Sequence, residues 1–470
     1  MTEVEELADF VVRTSYDDLS EAACQQFTIR ILDALGCAIG ALPGGPVHLV
    51  RDYVTESASD GPCTLIGGGR AAPDRAALLN GALVRYLDFN DSYLTKGESC
   101  HPSDNLGAVL AAAELAGASG RDLMAALATA YQVQCRLSDV APVRRRGFDH
   151  TSQGAFAAAA GVARALGLGR AETANALAIS GTALHALRVT RTGALSHWKG
   201  LAYSFTGANA IQAALLAARG VTGPLEVFEG NKGFMESIAG RFTIDWARED
   251  LERVKRTVLK RYNAQIHSQT AIEGILELRR REHFDADDVE RVDIEIFDVA
   301  FHIIGGGEEG DKTLVFTKEE ADHSLPYLLA VALLDGRVMP EQYTLDRIQR
   351  PDVQALLCRV TVSPHEAYSR RFPEEMPCRL SVRLKSGRLL TREVRDYPGF
   401  YTQPMSWEAA LEKFTALAEP YTTAELRAAI AEGVRDVARL QVAELTRLLA
   451  EVRVPTIAAP ERAAFQVKEN

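Results

Sequence analysis

The chain has 470 residues, 47% of them hydrophobic and 24% charged, and a formal net charge of −11. That length predicts two domains rather than one core, with the composition of an ordinary globular protein. The acidic balance excludes nucleic acid as a natural partner, and no apolar run approaches the length needed to cross a bilayer.

The seven cysteines (Cys24, Cys37, Cys63, Cys100, Cys135, Cys358 and Cys378) are scattered without a C-x-x-C pair. This predicts reduced thiols, with neither a disulfide framework nor an iron–sulfur cluster. The first residues, MTEVEELADF, are acidic and amphipathic, unlike a signal or transit peptide, so the expected compartment is the cytoplasm. In so acidic a chain, a site for an anion must be locally basic.

Asp18-Leu19-Ser20-Glu21 is read as a helix start, followed by Phe27, Ile31, Leu35 and Ile39 at helical spacing and a stop near Pro43-Gly44-Gly45. Ile66-Gly67-Gly68-Gly69 lacks the lysine and spacing of a phosphate-binding loop and reads as a turn. Tyr86 to Gly107, YLDFNDSYLTKGESCHPSDNLG, packs polar and titratable groups between two apolar segments. Loops of that kind on a rigid scaffold are disproportionately functional. Within it, Pro102 suits the first turn of a helix and pushes His101 out of the helical region. That leaves His101 at a helix mouth, where the backbone dipole favours a neutral imidazole and attracts anions.

From 106 to 219 alanine-rich helices are predicted, broken at Gly117–Gly120, Gly167–Gly169, near Gly193 and at Gly220–Pro224. Between about 263 and 400 the period changes to two. Val292, Ile294 and Ile296 alternate with polar residues, as do Cys378, Leu380, Val382 and Leu384, and Lys385-Ser386-Gly387-Arg388 turns into a hairpin. Val360 to Val362 is a further strand, and Leu325 to Leu334 a helix among them. From Trp407 to Val452 the pattern is helical again, with a polar tail after Pro460. The expected fold is mainly α: a large all-helical domain (1–262, completed by 402–470) with a smaller inserted α+β lid domain (263–401).

His150 and His267 repeat the layout of His101, each just before a helix with Thr151-Ser152 or Ser268 at its start. Lys199 falls in the first turn of a long helix, where a cation opposes the dipole and a bound carboxylate would relieve the conflict. Arg188 and Arg191, in LRVTRTGALS, are candidates to hold carboxylates bidentately. Each has an ordinary alternative: a capping neighbour, a loop histidine beside a basic run, an exposed lysine, a surface arginine. No H-E-x-x-H, H-x-H or Asp/His/Cys cluster suggests a metal, and no G-x-S-x-G suggests a serine hydrolase.

LDFND-S followed by HPSDN resembles the MmgE/PrpD family, as do GFDHT, SHWKG, NAQIHSQ and DHSLPY further on. The family includes 2-methylcitrate dehydratases, cis-aconitate decarboxylases and an iminodisuccinate epimerase. The resemblance spans nearly the whole chain and implies an active site containing Asp88, His101, His150, Lys199, Lys260 and His267. Ser92, Arg188 and Arg191 are the substrate-binding candidates, no cofactor and no metal are expected, and the family implies a homodimer. DHSLPY is read as mainly structural, with Ser324 capping a helix. Asn90 and Ser92 depart from the family, where many members carry aspartate and threonine.

The implied reaction is dehydration of 2-methylcitrate, or a related tricarboxylate, by side chains alone. His101 is the preferred acid/base residue, Asp88 its orienter or a partner for a substrate hydroxyl, and His150 the residue of opposite role. Decarboxylation of cis-aconitate and epimerisation next to a carboxylate use the same groups. A helical protein that binds polycarboxylates without turnover is the alternative of another class.

Overall fold

The computed structural model describes residues 1–56, 60–193 and 195–456; the tail after Pro460 lies outside them. Its apolar side chains gather into two large buried clusters. One runs from Val4 to Leu259 and resumes from Met405 to Val452. The other runs from Val258 to Phe400. The protein is mainly α with a smaller α+β region.

In the first cluster, α1 (Glu3–Arg13) and α2 (Glu21–Gly40) lead into α3 (Gly45–Glu56). From Ile29 to Gly40 every residue of α2 is buried, which makes it a core helix. It starts two residues later than the sequence suggested. Ser20 is the cap, accepting from Ala23 N at 3.1 Å, while Asp18 closes a separate 3₁₀ turn with Ser15. After a glycine-turned hairpin, β1 (Cys63–Thr64) with β2 (Arg70–Ala71), α4 (Pro73–Tyr86) runs towards the polar segment. A second short hairpin, β3 (Tyr93–Leu94) with β4 (Ser99–Cys100), precedes α5 (Leu106–Leu115).

The approach of α4 to α5 is set by Gly107. A Cβ there would stand 2.4 Å from the Gly81 nitrogen and 2.6 Å from its Cα. The missing side chain lets these backbones touch, and that contact fixes the two ends that carry the polar segment. The helices α6 (Gly120–Val140), α7 (Thr151–Leu166), α8 (Arg170–Ala183) and α9 (Trp198–Ala217) complete the bundle, with breaks at the glycines the sequence indicated. The late helix Trp407–Ala418 returns to it, seating Phe414 against Gly36 of α2.

The second cluster is organised by a four-stranded sheet: β5 (Val289–Ile296), β6 (Val360–Pro364), β7 (Cys378–Leu384) and β8 (Leu389–Val394), in the order β6-β5-β7-β8. Only the β5–β6 pairing is parallel. Cys378, Leu380, Val382 and Leu384 all face inward, as period-two alternation requires. Inside lie α10 (Gln269–Glu282) and the apolar α13 (Leu325–Asp335), whose cap is Ser324 and whose first turn holds Pro326. Along the chain, α11 (Asp298–Ile304) and α12 (Lys318–Ala321) come between β5 and α13. Among the described residues no single helix is long and apolar enough to cross a membrane.

Candidate active site

The polar segment after α4 opens with a strained residue. Asp88 has φ = 54°, a left-handed conformation that costs a non-glycine residue on the order of 1–3 kcal/mol. The strain is held by what the carboxylate meets: Arg85 donates to it at 2.8 Å, and Lys260 at 2.6 Å, with a further Lys260 bond to the Asp88 carbonyl at 2.6 Å. Lys199 lies 3.6 Å from its other oxygen. Burial alone would raise the Asp88 pKa; Arg85, Lys260 and Lys199 outweigh it and hold the carboxyl well below its usual range.

Lys260 reaches this point because its strand of chain is pinned to the segment 87–92. Ser92 and Val258 exchange backbone bonds at 2.9 and 2.7 Å, and Asn263 Nδ2 donates to Leu87 O at 2.6 Å. From the returning helix Trp407–Ala418, Lys413 donates to the carbonyls of Phe89 and Lys260 at 2.8 and 3.0 Å. Three distant stretches of sequence are thereby locked around one carboxylate.

His101 caps the 3₁₀ turn Pro102–Asn105 that leads into α5. Its Nδ1 stands 2.7 Å from the Asp91 carbonyl and 3.0 Å from Ser92 Oγ. A carbonyl only accepts, so Nδ1 carries the proton and Nε2 is left with its lone pair. Burial, then Arg85 and Lys260, push the His101 pKa well below the usual histidine value. The imidazole is neutral and basic at Nε2. Asp88 makes no hydrogen bond to it; Asp91 and Ser92 do the orienting that the sequence had suggested for Asp88. Ser92 accordingly stands behind His101 rather than on the cavity wall.

His150, the cap of α7, lies with its ring 5.6 Å from that of His101. Burial lowers its pKa, but Asp149, 3.2 Å from Nδ1, and Asp104, 4.0 Å from Nε2, more than reverse this, and the net shift is upward. Asp149 can serve so because Arg191 grips it with both arms of its fork, at 2.9 and 3.4 Å. Arg191 also donates to the Lys199 carbonyl at 2.6 Å. Its guanidinium is thus occupied internally.

Lys199 does fall in the first turn of its helix, but the carboxylates relieving it are internal. Its ammonium donates to Asp322 at 2.6 Å and lies 2.9 Å from His323 Nδ1, which itself lies 2.6 Å from the same Asp322 oxygen. Lys318 bonds the other oxygen at 2.7 Å. Burial lowers the Lys199 pKa to about 8 in spite of Asp322 and Asp88. Burial and the neighbouring ammonium lower His323 to about 3. Asp88, Asp322 and His323 bring ligand atoms within 4.8 Å of one another, a spacing that could hold a cation. The Lys199 ammonium already lies among them, so a divalent ion would have to displace it.

These groups border a cavity of about 60 Å³ between the two clusters. Asp88, His101, His150, His267, Arg188 and Arg191 all face it, while Lys199 and Lys260 form the layer behind Asp88. Arg188 is tied to Glu309 at 2.6 Å. For His267, Gln265 accepts from its backbone nitrogen at 2.7 Å and turns its amide nitrogen to Nδ1 at 2.8 Å. The ring proton is therefore on Nε2, which has no hydrogen-bond partner among the described residues. Burial, with Arg144 and His323, lowers His267 to about 3, so it is a neutral N–H donor rather than a titrating group.

Five charged or titratable cavity residues are not among those the sequence singles out. Arg85 carried a signal, three positions before Asp88 in the last turn of α4. His323, with Asp322 behind it, was read as part of a capping motif; Ser324 does cap α13, and its two predecessors face the charged cluster as well. Arg144 was noticed only as part of a basic run. Glu98 lies within the polar segment 86–107 without a signature of its own, and Glu309, inside a glycine run, carries none.

The sequence matches the MmgE/PrpD N-terminal domain over residues 5–247 and the MmgE/PrpD C-terminal domain over 262–438. It is 28% identical to a 2-methylcitrate dehydratase of Cupriavidus necator, over 94% of this chain and 95% of that one. Against the 2-methylcitrate dehydratase of Escherichia coli K12 the identity is 29%, over 84% and 85%. A cis-aconitate decarboxylase of Mus musculus is 25% identical over 95% and 93%. A helical bundle carrying buried imidazoles and ammonium groups beside an α+β unit is here an enzyme of the lyase class. The chain belongs to the MmgE/PrpD family.

Proposed function

We propose that the protein dehydrates 2-methylcitrate or a closely related tricarboxylate by side-chain acid/base catalysis. The observation that carries this is the pairing of His101 and His150, their rings 5.6 Å apart on one cavity wall and their pKa values shifted in opposite directions. His101 Nε2 is the base that removes the proton next to a substrate carboxylate. His150 is the acid that protonates the departing hydroxyl. The C–H and C–O bonds break, a C=C bond forms, and water leaves with the proton from His150.

The abstracted proton is weakly acidic because the adjacent carboxylate is already negative, so cations must steady the developing charge. Arg85, Arg144 and Arg188 face the cavity for this, and His267 Nε2–H is a neutral donor for a substrate oxygen. Lys199 and Lys260 act one step back, fixing Asp88. Each proton transfer contributes roughly 10²–10⁴ in rate. The partners we propose are a polycarboxylate substrate and, as an expectation from the family, a second copy of the chain.

Relatives named for decarboxylation of cis-aconitate supply the second reading. The same base and cations would serve it, with His150 or water supplying the proton and no hydroxyl leaving. Purified protein given 2-methylcitrate and, separately, cis-aconitate decides between them. Absorbance growing near 240 nm from the first identifies the dehydratase, and carbon dioxide from the second the decarboxylase. Activity on either should survive a metal chelator. Inertness towards both, and towards other polycarboxylates, overturns the proposal in favour of a non-catalytic binder.

A further inference from the structure

The cavity, about 60 Å³, is small against the roughly 300–1,000 Å³ of sites that take small molecules. A tricarboxylate fits only if part of the wall yields. Three carboxylates belong to that wall, and two are fixed. Asp88 is held by Arg85 and Lys260. Glu98 accepts from the backbone nitrogens of Val143 and Arg144 at 3.2 and 3.1 Å.

Glu309 is different. Among the described residues its buried side chain is bonded only by Arg188 at 2.6 Å and Arg144 at 3.3 Å. Both arginines precede α9 on the helical side, whereas Glu309 follows α11 on the sheet side. It sits in the run Gly305-Gly306-Gly307-Glu308-Glu309-Gly310, whose Gly306 and Gly310 have φ of 100° and 87°. Such glycines let a short loop re-orient without steric penalty.

We infer that Glu309 is an internal stand-in for a substrate carboxylate, occupying the Arg144–Arg188 subsite until the substrate displaces it and the 305–310 loop moves aside. The inference rests on the polycarboxylate reading above and adds the subsite and its gate. Two partly buried guanidinium groups left side by side without an anion are unfavourable, so a simple opening is opposed. Exchanging one carboxylate for another keeps both arginines paired throughout. It also selects: a molecule with no carboxylate at that position cannot displace Glu309. Apparent affinity is lowered by the fraction of time the subsite is self-occupied.

The test is calorimetric binding of tricarballylate, a tricarboxylate with no hydroxyl to lose, to the full chain and to Glu309→Gln. Removing the competing charge should tighten binding roughly tenfold, and lower KM for the turned-over substrate more than it changes kcat. Glu309→Asp, which keeps the charge on a shorter stem, should fall between the two and guards against a Gln variant that fails to fold. Unchanged or weaker binding by folded Glu309→Gln overturns the stand-in while leaving the polycarboxylate reading in place. If neither the unaltered protein nor Glu309→Gln binds tricarballylate, and neither turns over 2-methylcitrate or cis-aconitate, both fall.

Discussion

His101 and His150 sit at two helix entrances that look alike in sequence and differ in chemistry. Both are buried, and both face the positive end of a helix. Yet one is driven to its neutral form and the other towards its charged form. Burial and the dipole push both the same way, so they cannot be the cause of the difference. What separates the pair is the charge beside each ring: the Arg85 and Lys260 cations for His101, and the Asp149 and Asp104 carboxylates for His150. A helix mouth makes a histidine available; the charges around it decide whether it acts as base or acid.

Deleting the base should produce the largest effect. His101→Gln keeps the approximate shape and removes the lone pair at Nε2, and kcat should fall by about 10²–10⁴. Circular dichroism should be unchanged, since the ring's backbone bond, to the Asp91 carbonyl, belongs to no helix or strand. A His101→Gln enzyme retaining most of its turnover would reverse the assignment of base and acid.

Asp149→Asn tests the other entrance. It removes the charge that raises the His150 pKa, so that pKa moves down. An acid is active only below its pKa; the alkaline limb of the kcat profile must therefore shift to lower pH. Arg191 is left buried without its anion, a loss of roughly 3–5 kcal/mol in unfolding free energy by the usual cost of breaking such a pair. A pH–rate profile whose alkaline limb stays put would show that His150 is not the proton donor.

How much of this the sequence displays depends on distance along the chain. The helices, their glycine breaks and the strand alternation are local patterns, and they lie close to where periodicity puts them, α2 starting two residues late. His101, His150 and Lys199 were legible because each sits beside a helix start, a local signature. Their partners were not. Asp322 meets Lys199 across 123 positions, and Glu309 meets Arg188 across 121. No spacing rule reaches that far. The same holds for protonation: Gln265, only two residues from His267, sets its tautomer through an amide orientation that no sequence pattern records.

Two smaller perturbations ask whether the entrances depend on the scaffold or only on their neighbours. Gly107→Ala drives a methyl group into the Gly81 backbone, which cannot move aside as a side chain would. Overpacking of this kind costs about 1–3 kcal/mol, read as a lower urea midpoint. Because α4 leads to Asp88 and α5 follows His101, kcat should fall with it while the alkaline limb set by His150 keeps its position.

Ser92→Ala is the mildest. It removes one contact to His101 Nδ1 and leaves the Asp91 carbonyl at 2.7 Å to hold the same tautomer. One neutral hydrogen bond is worth about 0.5–1.5 kcal/mol, so kcat should drop no more than about tenfold. The acid limb should barely move, because neither burial nor the nearby cations that keep His101 neutral have changed. A loss as deep as that of His101→Gln would mean that the hydroxyl itself meets the substrate, and that the base at this entrance is built from two residues instead of one.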